Sequence, residues 1–410
     1  MSHPLPLEVR FLKRYSKQLQ GAGIPAHQCE RVVAALGDKL GFNCQVMSSP
    51  TALFLSFNYQ DDDDDQRPIP MQLLRMEPPT INLGNAAELY AISNDLMDDI
   101  ISVEQANSLL KGWKPRQLYP EWLQIICWGL TGGSVAVILY SSWVGVALAI
   151  LTCALTGLLS IRPSRIIREG GLEAVAALMS TFLAYALNTV VPGINVMVVL
   201  TASLIVLIPG LGLTIAVTEL STNHLASGSA RLAGALVTLL KLGLGVLIGT
   251  VVVRWFGWSM LEIPPGSLAV PPPWVRWVAL VLASFSFAVL FSARYRDIHI
   301  AMLAAIISYL VSRAGVAIGG VEFGVLLAAF CVAILANLYG RHFRQTGALV
   351  RVPGVILLVP GTIGYHGATA LFQVGGSDPG ELALLAFRMV IALVGGLLFG
   401  NTLLPPRRGH

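Results

Sequence analysis

Long apolar runs separated by short polar interruptions occupy the chain from residue 121 onward. A helix needs about 20 apolar residues to cross the ~30 Å hydrocarbon core of a bilayer. Ten runs approach or exceed that length: 121–141, 143–161, 172–191, 194–218, 230–253, 274–293, 297–312, 323–340, 351–373 and 381–403. The pattern predicts a polytopic α-helical membrane protein with ten transmembrane helices.

Residues 1–118 carry no such run and show shorter amphipathic patterns, which predict a small N-terminal α/β domain. Some segments repeat apolar residues every three or four positions, as helices do, and others alternate apolar and polar residues, as strands do. The predicted elements are helices over 5–23, 26–40, 86–96 and 103–111 and strands over 42–47, 52–59 and 72–77. The run Asp61–Asp65 indicates a solvated loop, because like charges repel each other.

The distribution of charge along the chain predicts its orientation in the membrane. It is 55% hydrophobic and 12% charged, with net charge −3 over 1–120 and +7 over 121–410. With the N-terminal domain inside, fourteen Lys and Arg residues lie on that face, and only Arg254, Arg276 and Arg313 lie on the other. Because positive residues accumulate on the cytoplasmic side, we expect a multi-pass protein of the cytoplasmic (inner) membrane with both termini in the cytoplasm. The N-terminus lacks the apolar core of a cleaved signal peptide.

The chain also matches itself at an offset of 151 residues. Leu207–Gly210 falls on Leu358–Gly361, and Gly245–Gly249 falls on Gly396–Gly400. Each half, 119–256 and 274–410, holds five predicted spans, and an odd number obliges the second half to enter the bilayer from the opposite face. Segment 257–273 is then an outer linker. Two inverted five-helix repeats are typical of secondary transporters, which bind substrate near the midplane between the halves.

Two features inside the spans predict a substrate site. Pro209-Gly210 and Pro360-Gly361 interrupt apolar helices, and a broken helix can present free N–H groups to an anion. Lys241 and Arg388 lie well inside spans, on about the same face of equivalent helices, where they suit a substrate carboxylate. The alternatives are ordinary proline kinks, snorkelling of the cations, or structural ion pairs with Glu173, Glu219 or Glu381.

Several titratable residues near span ends are candidates for carrying a coupled proton, namely Glu219, His224, Asp297 and His366. Catalytic chemistry is not indicated. His27 and Cys29 stand two positions apart on a helix and face different sides, and no hydrolase or metalloprotease motif is present. The five cysteines form no C-x-x-C pair, so we expect no metal, no cofactor and no disulfide framework.

The stretch Leu207-Ile208-Pro209-Gly210-Leu211-Gly212-Leu213-Thr214, followed by Glu219-Leu220 and Ser227-Gly228-Ser229-Ala230-Arg231-Leu232, resembles the threonine/serine exporter family of bacteria and fungi. Leu358-Val359-Pro360-Gly361 is similar to another segment of that family. The resemblance implies ten spans and proton-driven export of small hydroxylated amino acids. The resemblance also implies that the positions matching the family's motifs are Pro209, Gly210, Thr214, Glu219, Ser227, Gly228, Arg231, Pro360 and Gly361. Members often have Asn where this chain has Ile215, and a two-chain branch of the family is associated with dicarboxylate (succinate) export.

Together these features predict a secondary-active exporter of L-threonine and L-serine, driven by the proton gradient and working by alternating access. Its expected partners are a small-molecule substrate (threonine, serine or a small carboxylate), protons and the lipid bilayer, with no nucleic acid and with a homo-oligomer as one possibility. The alternatives are a dicarboxylate exporter, a non-transporting membrane assembly protein and a membrane-tethered enzyme using the N-terminal domain.

Overall fold

The computed structural model describes residues 5–60, 69–258, 268–358 and 379–405. Residues 5–60 and 69–111, called here the N-terminal unit, surround one apolar core that includes Tyr15, Leu36, Leu55, Phe57 and Tyr90. Its elements are α1 (Leu7–Gly21), α2 (Ala26–Lys39), β1 (Phe42–Ser49), β2 (Ala52–Tyr59), β3 (Gln72–Arg75), α3 (Leu83–Met97) and α4 (Val103–Lys111).

The strands form an antiparallel sheet in the order β1-β2-β3, with Cys44 opposite Phe57 and Leu53 opposite Leu74. The predicted helices and strands of the N-terminal unit are therefore observed. α3 begins three residues before its predicted start, because the Asn82 side chain accepts a hydrogen bond from the Asn85 N–H (2.8 Å) and caps the helix there.

The remaining described residues are helical and mostly apolar. The helices are α5 (Glu121–Ile138), α6 (Trp143–Ile161), a π-helical turn (Ile167–Gly171), α7 (Leu172–Val190), α8 (Val196–Leu204), α9 (Gly210–Ser221), α10 (Leu225–Trp255), α11 (Val275–Leu290), a 3₁₀ turn (Tyr295–Asp297), α12 (Ile298–Phe343), α13 (Ala348–Ile356) and α14 (Pro379–Leu403). Five helical segments of the described chain are long and apolar enough to cross a membrane. This agrees with the predicted polytopic membrane protein.

The 46 residues of α12 form two antiparallel arms. The backbone leaves helical geometry at Gly319 and Gly320, where Gly320 has φ +85°. A Cβ placed on Gly315 would lie 2.7 Å from the Cα of Gly324. Nine residues of straight helix would separate these positions by about 13.5 Å, so the chain turns back on itself. The predicted spans 297–312 and 323–340 correspond to the two arms.

The predicted fourth span is broken in the middle. α8 ends at Leu204, α9 begins at Gly210, and the Leu213 N–H donates to the Pro209 carbonyl (2.9 Å) as the new helix starts. Proline has no N–H and its ring clashes with the preceding turn, so the first helix cannot continue through Pro209. The matching Pro360-Gly361 lies outside the described residues.

Glycines bring the last helix of each half close to a neighbour in the same way. A Cβ on Gly245 of α10 would lie 2.7 Å from the Cβ of Ala177 in α7. A Cβ on Gly396 of α14 would lie 2.9 Å from the Cβ of Ala329 in α12. In both helices a second glycine four residues later makes a similar approach. Small residues thus allow the same close helix packing at two places 151 residues apart.

Candidate functional site

A cleft lies between the N-terminal unit and helices α9, α13 and α14. Its inner part is a mostly apolar chamber of about 70 Å³, and its outer part is a more polar space of about 460 Å³. The residues that line both parts are His27, Gln28, Thr218, Ala348, Arg351 and Asn401. Because α9 and α14 come from different halves of the chain, the cleft lies where the halves meet.

One face of α9 forms a wall of the cleft. Leu211, Thr214, Ile215, Thr218 and Thr222 follow the helical period from the break at its start to its far end. The Thr214 hydroxyl donates to the Gly210 carbonyl (3.0 Å), and the Thr218 hydroxyl donates to the Thr214 carbonyl (2.8 Å). These hydroxyl protons are used within the helix, so their oxygens remain available as acceptors.

Together with Arg31 of α2, Arg351 of α13 is one of two arginines that line the described part of the cleft. Its Nη2 donates to Asn337 Oδ1 (3.1 Å) and lies 3.4 Å from Asn401 Oδ1, while Asn337 Nδ2 donates to Asn401 Oδ1 (2.8 Å). The two amides hold the guanidinium in place, yet its Nε–H is buried without a hydrogen-bond partner among the described residues. No acidic side chain is among the described residues that line the cleft. A fixed guanidinium with an unused donor is a receptor for a carboxylate.

The N-terminal unit supplies the opposite wall through His27, Gln28 and Arg31 of α2. The His27 Nδ1 is buried and has no hydrogen-bond partner in the described part of the chain. Burial lowers the pKa of His27 to about 3, and the nearby charges of Arg351 and Arg31 act in the same direction. The imidazole is therefore neutral at physiological pH and offers one donor and one acceptor.

Glu219 fixes the start of α2 against the membrane helices. Its carboxylate is fully buried, and Oε1 accepts the Ala26 N–H at 2.8 Å. Ala26 is the first residue of α2, so the negative charge also lies at the positive end of the helix dipole. Oε2 is 3.1 Å from Nε of Arg231 in α10, close enough for an ion pair although not aligned as a hydrogen bond.

His224 makes a second contact with α2. Its Nε2 is 3.1 Å from Glu30 Oε2, and its Nδ1 is 3.1 Å from the Thr222 hydroxyl. The other oxygen of Glu30 accepts the Ser48 N–H (2.8 Å). Burial raises the pKa of Glu30 despite these partners. Two of the predicted proton carriers, Glu219 and His224, thus lie at the junction with the N-terminal unit.

The motif residues of the first half form one helical hairpin, α9 and α10. A Cβ on Gly228 would lie 2.8 Å from the Ala216 carbonyl oxygen, so this glycine permits the close approach of the two helices. Ser227 is buried beside it, with a hydroxyl that has no partner among the described residues. Arg231 follows one turn later and pairs with Glu219.

Other predicted site residues lie away from the cleft. Lys241 Nζ is 3.6 Å from Glu173 Oε2, and Arg388 is exposed. Asp297 is buried at the start of α12, where Arg294 Nε donates to it at 2.6 Å.

Pro209 lines a separate apolar cavity of about 190 Å³ next to the helix break, whereas Gly210 is buried as the first residue of α9. Pro360, Gly361 and His366 lie outside the described residues. Across the described ranges, no three His, Cys, Asp or Glu side chains lie together as a metal site would require.

Reasoning from the sequence missed most of the polar residues that line the cleft. They include His27, Thr218, Asn337, Arg351 and Asn401. Arg351 stood at the start of a predicted span, where arginine ordinarily sets orientation. The signal that could have found the group was the pair of asparagines inside apolar runs, because polar side chains within a span are rare and often functional.

Comparison with known proteins finds fungal relatives of this chain. It is 24% identical over 364 residues to "Pheromone-regulated membrane protein 10" of Eremothecium gossypii, and the match covers 86% of this chain and 48% of that protein. The proteins of the same name from Kluyveromyces lactis (25% identity, 86% and 37% coverage) and Saccharomyces cerevisiae strain YJM789 (24%, 86% and 46%) are similar to it in the same way. The chain thus spans less than half the length of these relatives. No solved structure matches it.

Two family models cover most of the chain. The family described as "Putative threonine/serine exporter" matches residues 10–253, and the one described as "Threonine/Serine exporter, ThrE" matches residues 276–403. The family names and those of the relatives indicate a membrane exporter rather than an enzyme. The resemblance drawn from the sequence motifs is confirmed, and the chain belongs to the threonine/serine exporter family.

Proposed function

We propose that this protein is a secondary-active exporter of L-threonine and L-serine, driven by the proton gradient across a cytoplasmic membrane. The observation that carries the proposal is the half-buried Arg351 side chain, held by Asn337 and Asn401, with its Nε buried without a partner among the described residues, at a cleft between the halves. A desolvated cation with an unused N–H is costly until an anion binds it. The substrate carboxylate is that anion.

We assign the carboxylate to Arg351 in preference to the predicted Lys241 and Arg388. Neither of those residues is among those that line the cleft, and Lys241 has Glu173 as a counter-ion. The inner chamber then takes the short substrate side chain. It is lined by the apolar Leu211 and Val355 and by Thr218.

The proposed architecture is ten membrane crossings in two inverted halves, over 119–256 and 274–410, with the N-terminal domain (1–118) on the cytoplasmic face. The crossings are α5, α6, α7, broken α8–α9 and α10, then α11, the two arms of α12, the span predicted from the sequence over 351–373, and α14. The matching glycine contacts of α10 and α14 support the repeat. In such folds, substrate gains access to alternate sides as one half rocks against the other.

The coupled proton is proposed to bind at the junction of the α9–α10 hairpin with α2. There His224 contacts Glu30 of α2, and Glu219 contacts the first residue of α2 and Arg231. Burial raises the pKa of Glu30 above its ordinary value, which makes this carboxyl the candidate for the coupled proton. The predicted carriers Asp297 and His366 lie elsewhere or outside the described residues.

Export of a dicarboxylate is the second candidate. Arg31 and Arg351 both line the outer part of the cleft, and no described residue of that lining is acidic. Two guanidiniums facing one space suit a dianion such as succinate better than a zwitterion.

A flux assay tests both candidates. The full chain is reconstituted in vesicles with an imposed pH gradient, and labelled threonine is followed with and without excess succinate. We expect threonine flux that rises with the gradient and falls at least tenfold in Arg351→Gln, while Lys241→Met stays close to wild type. Threonine flux that ignores the gradient contradicts proton coupling. Succinate flux with no threonine flux replaces the first candidate by the second.

A further inference from the structure

We propose that His27, a residue of the N-terminal unit, binds the substrate hydroxyl opposite Arg351, so that this unit completes the transport site and helps to select the substrate. The inference rests on the proposed function, because it concerns the same cleft. It goes further in assigning substrate recognition to a segment that precedes all the predicted membrane spans.

The first support is the position of His27. It lines both the inner chamber and the outer space of the cleft, across from α9, α13 and α14. The residue before it, Ala26, is held by the buried Glu219 carboxylate through a 2.8 Å hydrogen bond. A side chain one residue from a fixed backbone point has little freedom to leave the cleft, so the imidazole is preorganised for a ligand.

The second support is an unused hydrogen-bonding atom. Among the described residues, nothing pairs with the buried His27 Nδ1, although His224 lies nearby with its ring centre 5.9 Å away. A buried nitrogen without a partner destabilises the folded protein, and a bound polar group can remove that cost. The Nε of Arg351 is in the same condition, so both walls of the cleft have an unsatisfied group.

The charge state of His27 indicates which part of the substrate it meets. Burial and the adjacent arginines hold its pKa near 3, so the ring is neutral while Arg351 remains charged. The carboxylate goes to the guanidinium, because a charge-assisted hydrogen bond is the stronger one. A neutral imidazole, with one donor and one acceptor, matches a hydroxyl, which also has both functions.

The N-terminal unit is also tied to the second half. The Leu83 N–H donates to the Phe291 carbonyl and the Gly84 N–H donates to the Ser292 carbonyl, both at 2.9 Å. The free N–H groups at the start of α3 thus satisfy carbonyls just beyond the end of α11. With Glu219 and His224 on the other side, the unit bridges both halves over the cleft. His27 therefore belongs to a wall that is docked on the membrane helices.

The test is equilibrium binding of two probes to the purified full chain. L-threonine carries the hydroxyl, and L-2-aminobutyrate has the same carbon skeleton without it. We expect wild type to prefer threonine, and we expect His27→Ala to weaken threonine binding about fivefold while aminobutyrate binding stays within twofold. His27→Gln, which keeps a donor and an acceptor, should recover part of the threonine affinity.

Lys39→Ala is the matched control, since it alters the far end of the same helix, and it should bind both probes as wild type does. Equal weakening of both probes by His27→Ala would show a general structural role and overturn the inference. Unchanged binding of both would overturn it as well, with the proposed function intact. A wild-type chain that binds neither threonine nor serine would instead overturn the proposed function, and the inference with it.

Discussion

The two halves of the molecule agree in packing and differ in chemistry. At the offset of 151 residues, the glycine contacts of α10 recur in α14. Yet Arg351 corresponds to Leu200, and Asn401 corresponds to Thr250. The first half contributes threonine hydroxyls and the acidic group that docks α2, whereas the second half contributes the cation and its two amides. The proposed repeat would therefore carry an asymmetric site, with the group that docks α2 in one half and the proposed anion-binding group in the other.

The largest effect is expected from removing the docking group of the first half. Glu219→Ala leaves the Arg231 guanidinium in a buried place without its counter-ion and frees the Ala26 N–H. Breaking a buried pair from one side costs about 3–5 kcal/mol. We expect a markedly lower melting temperature, measured in detergent, and faster proteolysis of the N-terminal unit. Glu169→Ala removes the exposed partner of Arg165 and should cost less than ~1 kcal/mol. Equal losses of stability in the two variants would show that the buried Glu219 pair contributes no more than the exposed pair does.

The next effect is expected in binding and not in stability. Arg351→Gln removes the charge of the second half, and truncating one partner of a buried charge pair costs about 2–5 kcal/mol of affinity. Threonine affinity measured by calorimetry should fall at least tenfold, with a melting temperature equal to or above that of wild type. If Arg351→Gln lost stability and retained its affinity for threonine, the substrate carboxylate would have to bind elsewhere.

A smaller effect, of equal size in the two halves, is expected from disturbing the glycine contacts that α10 and α14 share. Gly245→Ala places a methyl group against the backbone carbonyl oxygen of Ala174, and Gly396→Ala places one against that of Leu326, both closer than van der Waals contact allows. Such overpacking costs about 1–3 kcal/mol, so both melting temperatures should fall by similar amounts. Gly395→Ala is the control, because no atom of the described residues lies within 4 Å of its added methyl group. A lower melting temperature in only one of the two variants would contradict the proposed repeat.

The smallest effect is a pH dependence at the junction with α2. Because burial raises the pKa of Glu30, the folded state holds its proton to higher pH than the unfolded state does. Stability should therefore fall as pH rises from the ordinary glutamate pKa of 4.5 through the raised value. Melting temperatures across this window should show a shallower slope in Glu30→Gln than in wild type. An identical slope in both would assign the dependence to another group.

The sequence predicted features that depend on local chemistry. A Pro-Gly pair such as Pro209-Gly210 predicts a helix break within an apolar run. The alternation of apolar and polar residues predicts the strands of the N-terminal unit. The role of Arg351 depends on Asn337 and Asn401, which are 14 and 50 residues away in the chain. His27 becomes a cleft residue only because Glu219, 193 residues from Ala26, holds the start of α2. Such long-range contacts leave no periodic signal in one sequence.

The most direct measurement is a structure of the full chain with bound threonine, determined by cryo-electron microscopy in lipid nanodiscs. We expect ligand density in the cleft, with its carboxylate end against the Arg351 guanidinium and its other end toward His27 and Thr218. Ligand density beside Lys241 or Arg388, with the cleft around Arg351 empty, would contradict the account.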